Sequence, residues 1–227
     1  MRIALTALAI VFFGFGVLAE NDEPFNLTTG PVLGHPYSIH WQKVQYDWAI
    51  ERELLERCRA NRNQCSSREA LQFLTVIDDA SALTNRTRLG HLNRAINLAI
   101  RPMSDIQNYG IPEIWTAPLA TLANGAGDCT DYAIAKYFAL GEIGISANDR
   151  RLVVVQSKSR REEHAVLAVR EKHRWLILDN RRMTIVDAAE AKEYVPLLVL
   201  DYRGVRQFLP STSISMAKAT SCTPPVS

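Results

Sequence analysis

Residues 125–137 read "GAGDCTDYAIAKY". A glycine-rich loop runs into Cys129, and the apolar pattern that follows predicts a helix over 129–143, closed by Gly144. Asp128 precedes the cysteine and Asp131 follows two residues later. Carboxylates oppose a thiolate, so the stretch admits three readings of Cys129: a nucleophile, half of a disulfide, or a buried thiol.

The character of the chain changes at this helix. Upstream, "IHWQKVQYDWAIERELLERC" (39–58) places Trp41, Val44, Trp48 and Leu55 at helical spacing after a loose segment (20–38). "SREALQFLTVIDDASAL" (67–83) repeats the pattern, with Ser66 or Ser67 as N-cap and Glu69 placed for a capping box. A third helix fits 86–100, and Pro102 ends it. Residues 101–127 are proline- and glycine-rich and read as loop, with a short helical turn near Pro118 to Leu122. Downstream, "RLVVVQS" (151–157), "HAVLAVR" (164–170) and "RWLILDN" (174–180) are β-rich runs. "TIVDAAEAKEY" (184–194) reads as a short helix and "VPLLVLDYRG" (195–204) as a further strand. Helices first and an antiparallel sheet later predict an α+β domain over 39–209, with a nucleophile-bearing helix packed on the sheet.

Length and composition agree with one such domain: 227 residues, 47% of them apolar, bury a core without staples. The formal charge of +2 and the scattered cations give no footprint for nucleic acid. In the one dense basic cluster, "SKSRREEH" (157–164), Glu162 and Glu163 offset the arginines. "GAG" lacks the Lys-Ser/Thr that a phosphate loop needs. The first residues, "MRIALTALAIVFFGFGVLAE", combine Arg2, an apolar run from Ile3 to Leu18, and small or apolar residues at Val17 and Ala19. They predict a signal peptide over 1–19 and a periplasmic or secreted protein. The run falls short of the roughly 20 residues of a spanning helix, so no stable membrane insertion is expected after cleavage.

Export makes a disulfide between Cys58 and Cys65 the expected state of that loop, with reduced surface thiols as the alternative. Cys222 lies in the Ser/Thr/Pro-rich tail, 210–227, which reads as disordered. A bond between Cys222 and Cys129 is possible, and nothing in the sequence requires it.

The connection "EKHR" (171–174) predicts a hairpin with Lys172 and His173 as a two-residue turn. Counting back from it sets Asp179 near Val166 and brings His164 to the same open end. Positions two apart in register lie ~7–8 Å apart at Cβ, within reach of an imidazole and a carboxylate. A cysteine opening a helix, with His164 and Asp179 on adjacent strands, is the pattern of an activated thiol: a base takes the proton and an acid orients the base. The bland alternative is a buried cysteine, a strand-opening histidine and a turn-opening aspartate.

"YGIPEIWTAPLATLANGAGDCTDYAIAKYFAL" with "HAVLAV" and "WLILDN" resembles the bacterial transglutaminase-like cysteine peptidases, among them the LapG-type periplasmic proteases that trim surface adhesins. The resemblance spans roughly residues 40 to 205. It implies a papain-like or transglutaminase-like core and a thiol protease acting on a protein substrate, an adhesin in the best-known members. Some members are held by an inner-membrane receptor. Residue by residue, it implies Cys129 as nucleophile, His164 as general base and Asp179 as the orienting acid. Trp115 matches an aromatic residue bordering the site, and a core tryptophan is its alternative. The resemblance also implies calcium on acids flanking the nucleophile. Asp128 and Asp131 are the candidates, whereas Thr130 stands where the adhesin-trimming members carry glutamate.

Two carboxylates ~8 Å from a thiolate cost ~2 kcal/mol at an effective dielectric of ~40. A helix N-terminus returns about 0.3–1 kcal/mol. The balance has to come from an imidazolium at His164, from a cation, or from Asp128 turning onto helix amides as an N-cap, the reading preferred here. A transglutaminase-type acyltransferase shares the acyl-enzyme, and a non-catalytic binding module shares the fold. His35, His40, His91 and His173 lack metal-ligand spacing and an acid partner.

Overall fold

The computed structural model describes residues 23–209; the signal sequence read at 1–19 and the tail at 210–227 lie outside the described residues. Helix α1, Pro36–Ala60, turns Trp41, Val44, Trp48, Leu55 and Cys58 inward at the spacing the sequence sets. It begins three residues earlier than the apolar pattern, because Pro36 suits a first helical position and the His35 side chain accepts from the Tyr37 amide. Helix α2, Arg68–Ser81, starts at Ser67, whose hydroxyl accepts from the Ala70 amide at 3.0 Å. The capping box expected with Glu69 does not form: with Ser67 as cap, the third helical position is Ala70, whose methyl group has no acceptor to reach back. A Cys58–Cys65 disulfide closes the α1–α2 loop.

Helix α3, Asn85–Ala99, leads into the segment read as loop, which holds more order than expected. A two-residue strand β2, Arg101–Pro102, pairs in parallel with β3, Ala126–Gly127. Between them lie helix α4, Asp105–Tyr109, and helix α5, Pro118–Asn124. Gly125 ends α5 at φ +68, a conformation in which a Cβ is strained. Helix α6, Cys129–Glu142, follows at once, and every residue from Cys129 to Leu140 is buried. An all-round buried helix is a core element. Helices α2, α3 and α5 pack against it on one side, with strands β4, Arg150–Ser157, and β5, Glu163–Glu171, on the other.

The remaining strands are β1, Thr29–Pro31; β6, Arg174–Leu178; β7, Val186–Asp187; β8, Tyr194–Asp201; and β9, Gly204–Phe208. They complete a seven-stranded sheet in the order β1-β9-β8-β4-β5-β6-β7, with every pair antiparallel. Strand alternation gives it two apolar faces. Leu152, Val154, Ala165 and Leu167 join the helical core, while Val153, Val155, Val166 and Ala168 meet Phe25, Leu27 and Tyr194 on the far side. The β5–β6 turn has Lys172 and His173 at φ 49 and 66, the mirror-image hairpin turn, and Leu167 pairs Leu178 as the count predicts.

Residues 184–194 correct the sequence reading. No α-helix forms there; the stretch gives the short strand β7 and one 3₁₀ turn at Ala188–Glu190. Pairing of Val186 with Ile177 at the sheet edge outweighs the helical propensity of the Ala/Glu/Lys run. Strands β1 and β9 also escaped the reading. They pair with each other, and Glu23 ion-pairs with Arg151, Arg203 and Arg206, so the packed unit extends upstream of residue 39. Among the described residues no helix is long and apolar enough to cross a membrane.

Candidate active site

Three elements meet at the start of α6. The loop Gly125–Asp128 delivers Cys129, strand β5 delivers His164, and the residue after β6 delivers Asp179. Gly127 is required by close approach: a Cβ there would lie 2.6 Å from Asp131 Oδ2. Asp128 caps the helix. Its Oδ1 accepts from the Thr130 amide at 2.8 Å and the Asp131 amide at 3.3 Å, and Asp131 Oδ2 accepts from the Asp128 amide at 3.2 Å. This is a capping box with aspartate at both corners.

Cys129 Sγ accepts from the backbone N–H of Ala165 at 3.3 Å, which ties the start of α6 to the strand bearing His164. His164 is fully buried, with Nε2 2.9 Å from Asp179 Oδ1. Its Nδ1 has no hydrogen-bond partner. Donation of Nε2–H to the carboxylate fixes the tautomer and leaves a lone pair on Nδ1. Asp179 is itself held from several directions: the Arg181 amide donates to Oδ1 at 2.9 Å, the Tyr194 hydroxyl donates to Oδ2, and Asn97 Nδ2 donates to the backbone carbonyl at 2.9 Å. Burial raises the Asp179 carboxyl, but the bonds from His164 and Tyr194 outweigh it and hold the group well below the usual carboxylate range. Burial lowers His164, and Asp179 recovers part of that shift.

A narrow cleft opens beside His164, lined by Tyr37, Glu113, Trp115, Thr130, Glu163 and Ala165 among others. Trp115 is 3% exposed, packs within the helical core and lines the cleft. Its Nε1 donates to Glu113 at 2.8 Å, and the ring stacks on His40 at 5.6 Å.

The nucleophile loop also carries an acidic cluster. Oxygens of Asp105, Asp128 and Asp131 lie within 4.8 Å of one another. Burial raises all three carboxyls, Asp105 to about 6, and the mutual repulsion adds to the rise in Asp128 and Asp131. Thr116 and Ile114 amides steady Asp131 and Asp105. Asp105 Oδ1 has no hydrogen-bond partner.

Sequence reasoning missed Asp105 and Tyr194. Asp105 sits inside "SDIQ", a capping-box pattern that forms at Ser104 and Gln107 and could have revealed α4. Tyr194 arrives on a strand from across the sheet, and no local signal marks it. Of the other histidines, His35 caps α1 and His40 stacks on Trp115.

A cysteine that opens a helix and touches the strand bearing a histidine–aspartate pair, in an α+β domain, is the arrangement of the transglutaminase-like fold. A family profile for bacterial transglutaminase-like cysteine proteinases matches residues 41–196. The chain belongs to that family, and it is a cysteine peptidase. Solved structures agree on the fold. LapG of Legionella pneumophila is 22% identical over 69% of this chain and 86% of its own, with a TM-score of 0.57. The calcium-bound form of that LapG is 23% identical over 73% and 93%, TM-score 0.57, and the EGTA-treated form reaches 0.58. No curated protein sequence matches the chain.

Proposed function

We propose that this chain is an exported peptidase that cleaves a protein substrate through Cys129, His164 and Asp179. The observation that carries the reading is the buried His164–Asp179 contact of 2.9 Å, with Nδ1 of the same ring lacking a partner. His164 takes the thiol proton of reduced Cys129 on Nδ1, and Sγ attacks the scissile carbonyl. Backbone N–H groups at the start of α6 stabilise the oxyanion. The imidazolium then protonates the leaving amine, and water resolves the acyl-enzyme. Asp179 keeps its charge throughout and balances the imidazolium. Asp128 takes the capping role, which turns its oxygen onto the amides of Thr130 and Asp131.

Calcium fits the acidic cluster. Three carboxylates crowded within 4.8 Å, one with an oxygen lacking a partner, are unfavourable together as anions, and a hard cation with oxygen ligands resolves that. Asp105, Asp128 and Asp131 would hold it. When bound, it neutralises charge beside the nucleophile loop. Asp105 supplies a carboxylate that Thr130 does not.

The export signal read at 1–19 supports a periplasmic or secreted site of action. The resemblance to adhesin-trimming proteases makes surface adhesins the substrate class to test first, with an inner-membrane receptor as the regulator. The test is incubation of the mature protein, with reductant, on a cell-surface protein fraction, followed by mass spectrometry of new termini. Cys129→Ala and His164→Ala should each abolish cleavage and keep the fold. Full activity in Cys129→Ala would overturn the mechanism. Incorporation of a labelled primary amine in place of cleavage would identify an acyltransferase.

A further inference from the structure

Cys129 is itself in the disulfide state, and no cysteine of the described residues is free. The chain has four cysteines, and Cys58 and Cys65 take each other. Cys222, in the Ser/Thr/Pro-rich stretch after residue 209, is the one left to Cys129 within the chain.

The fold brings the start of that stretch close to the nucleophile. The registers of β9, β8, β4 and β5 set Gln207, Leu198, Val154 and Ala165 in one row across the sheet. Three strand spacings make that row about 14 Å long. At its far end the Ala165 N–H donates to Cys129 Sγ at 3.3 Å. Direction matters as much as distance. Each of these pairs is antiparallel, so β9 runs opposite to β5, and its last residues point to the end of the sheet that carries His164. The Leu209 amide donates to the Thr28 carbonyl at 2.9 Å, which fixes the point of departure. The 13 residues from Pro210 to Cys222 span up to ~43 Å when extended, about three times the width of the row. Cys222 therefore reaches Cys129 with β9 still paired.

We propose that Cys222 bonds to Cys129 and holds the peptidase latent until a thiol reductant opens the bond. The inference rests on the reading of Cys129 as the nucleophile, since a sulfur tied in a disulfide cannot attack a carbonyl. Closure joins the two sulfurs and releases two protons and two electrons. A disulfide of the oxidising compartment accepts them by exchange and leaves as a dithiol. Opening is the reverse. One thiolate of a dithiol reductant attacks the Cys222 sulfur, and Cys129 departs as a thiolate. The second thiol of the reductant then displaces Cys222 and closes the reductant's own disulfide. The Ala165 N–H and the start of α6 stabilise the departing thiolate, so the groups that serve the nucleophile also favour its release.

The experiment counts thiols in the full mature chain, exported to an oxidising compartment and unfolded in guanidinium with N-ethylmaleimide. Intact mass should show no label on the wild type before reduction and four after it. A digest made without reductant should yield a peptide pair joining Cys129 to Cys222. Cys222→Ser should carry one label, on Cys129. A labelled Cys129 in the unreduced wild type would overturn the proposal. So would a bond from Cys129 to another thiol, including Cys222 of a second copy, seen as a dimer on a non-reducing gel. On a cleavable substrate, Cys222→Ser should work without reductant at the rate that the wild type reaches only after reduction. Wild-type cleavage that reductant leaves unchanged would overturn the latch. Thiol counting uses no substrate, so a failed peptidase assay and a failed latch are separate results.

Discussion

Tyr194 and His164 hold the same carboxylate from opposite sides: the tyrosine hydroxyl donates to Asp179 Oδ2, and the imidazole Nε2 stands 2.9 Å from Oδ1. The two rings lie 5.8 Å apart between centroids. Strand β8 thereby sets the position of an acid carried at the end of β6, two strands that are not neighbours in the sheet.

Asp179→Asn keeps the shape of this clamp and removes the charge. The amide no longer stabilises an imidazolium and can offer a donor to Nε2, which favours the wrong tautomer. Expected kcat falls on the order of 10³- to 10⁴-fold, by the precedent of triad acids. Acid stability changes in a defined direction. The folded Asp179 carboxyl is depressed, so it contributes stability above the unfolded value near 3.8 and loses it as pH falls further. Denaturant unfolding at pH 7 and pH 3 should therefore show a smaller gap between the two pH values in the Asn variant than in the wild type.

Lys136 carries the opposite kind of cost. Its folded value, about 7, lies below the ordinary 10.5 of lysine, so the unfolded chain binds more protons between those limits. Wild-type stability should rise with pH from about 7 toward 10.5, and Lys136→Met should remove that slope. At pH 7 the Met variant should be more stable by roughly 1–4 kcal/mol, as found when buried charges give way to apolar groups. Chemical denaturation at pH 7 and 9.5 checks both statements. A Met variant less stable than wild type at pH 7 would contradict the reading of Lys136 as a costly buried charge.

How far the sequence was legible follows from the range of each interaction. The β5–β6 hairpin was readable because a two-residue turn fixes register: Lys172 and His173 set Leu167 against Leu178, and His164 and Asp179 come together at the open end. The α6 boundary was readable because Asp128 and Asp131 bond within three residues of each other. Residues 184–194 misled because Ala188, Ala189 and Glu190 favour helix locally, while edge pairing with β6 decides the outcome. Tyr194 was out of reach for a related reason, since it joins the site through tertiary packing from β8. For Asp105 the local capping box at Ser104 and Gln107 marks the helix, but only tertiary packing brings its carboxylate to Asp128 and Asp131.

The Cys58–Cys65 bridge should matter for stability and leave chemistry alone. It closes a loop of sequence separation 7, between α1 and α2. The loop-closure model gives about 2–3 kcal/mol for a loop this short. The double variant Cys58→Ala/Cys65→Ala should lose that much in denaturant unfolding, with kcat/KM unchanged once folded. A loss of kcat/KM in the folded double variant would place the loop in contact with substrate.

Calcium gives the most direct test of the acidic cluster. Asp105, Asp128 and Asp131 converge within 4.8 Å, and Asp105 Oδ1 lacks a partner, so that oxygen can take a divalent ion without giving up a hydrogen bond. An ion that binds only the folded state stabilises by about 2.7 kcal/mol at a hundredfold excess over Kd. For a chain of this size that corresponds to a Tm rise of roughly 5–10 °C. Differential scanning calorimetry with millimolar calcium against EGTA should show it, and Asp105→Asn should remove most of it while leaving the Asp128 cap in place. Thr130→Glu should act the other way, because it adds an anionic oxygen donor beside Asp131 and lowers the calcium concentration needed for half the Tm rise. An unchanged Tm with calcium, together with no calcium retained after desalting, would assign the three aspartates to the helix cap and its supporting loop alone.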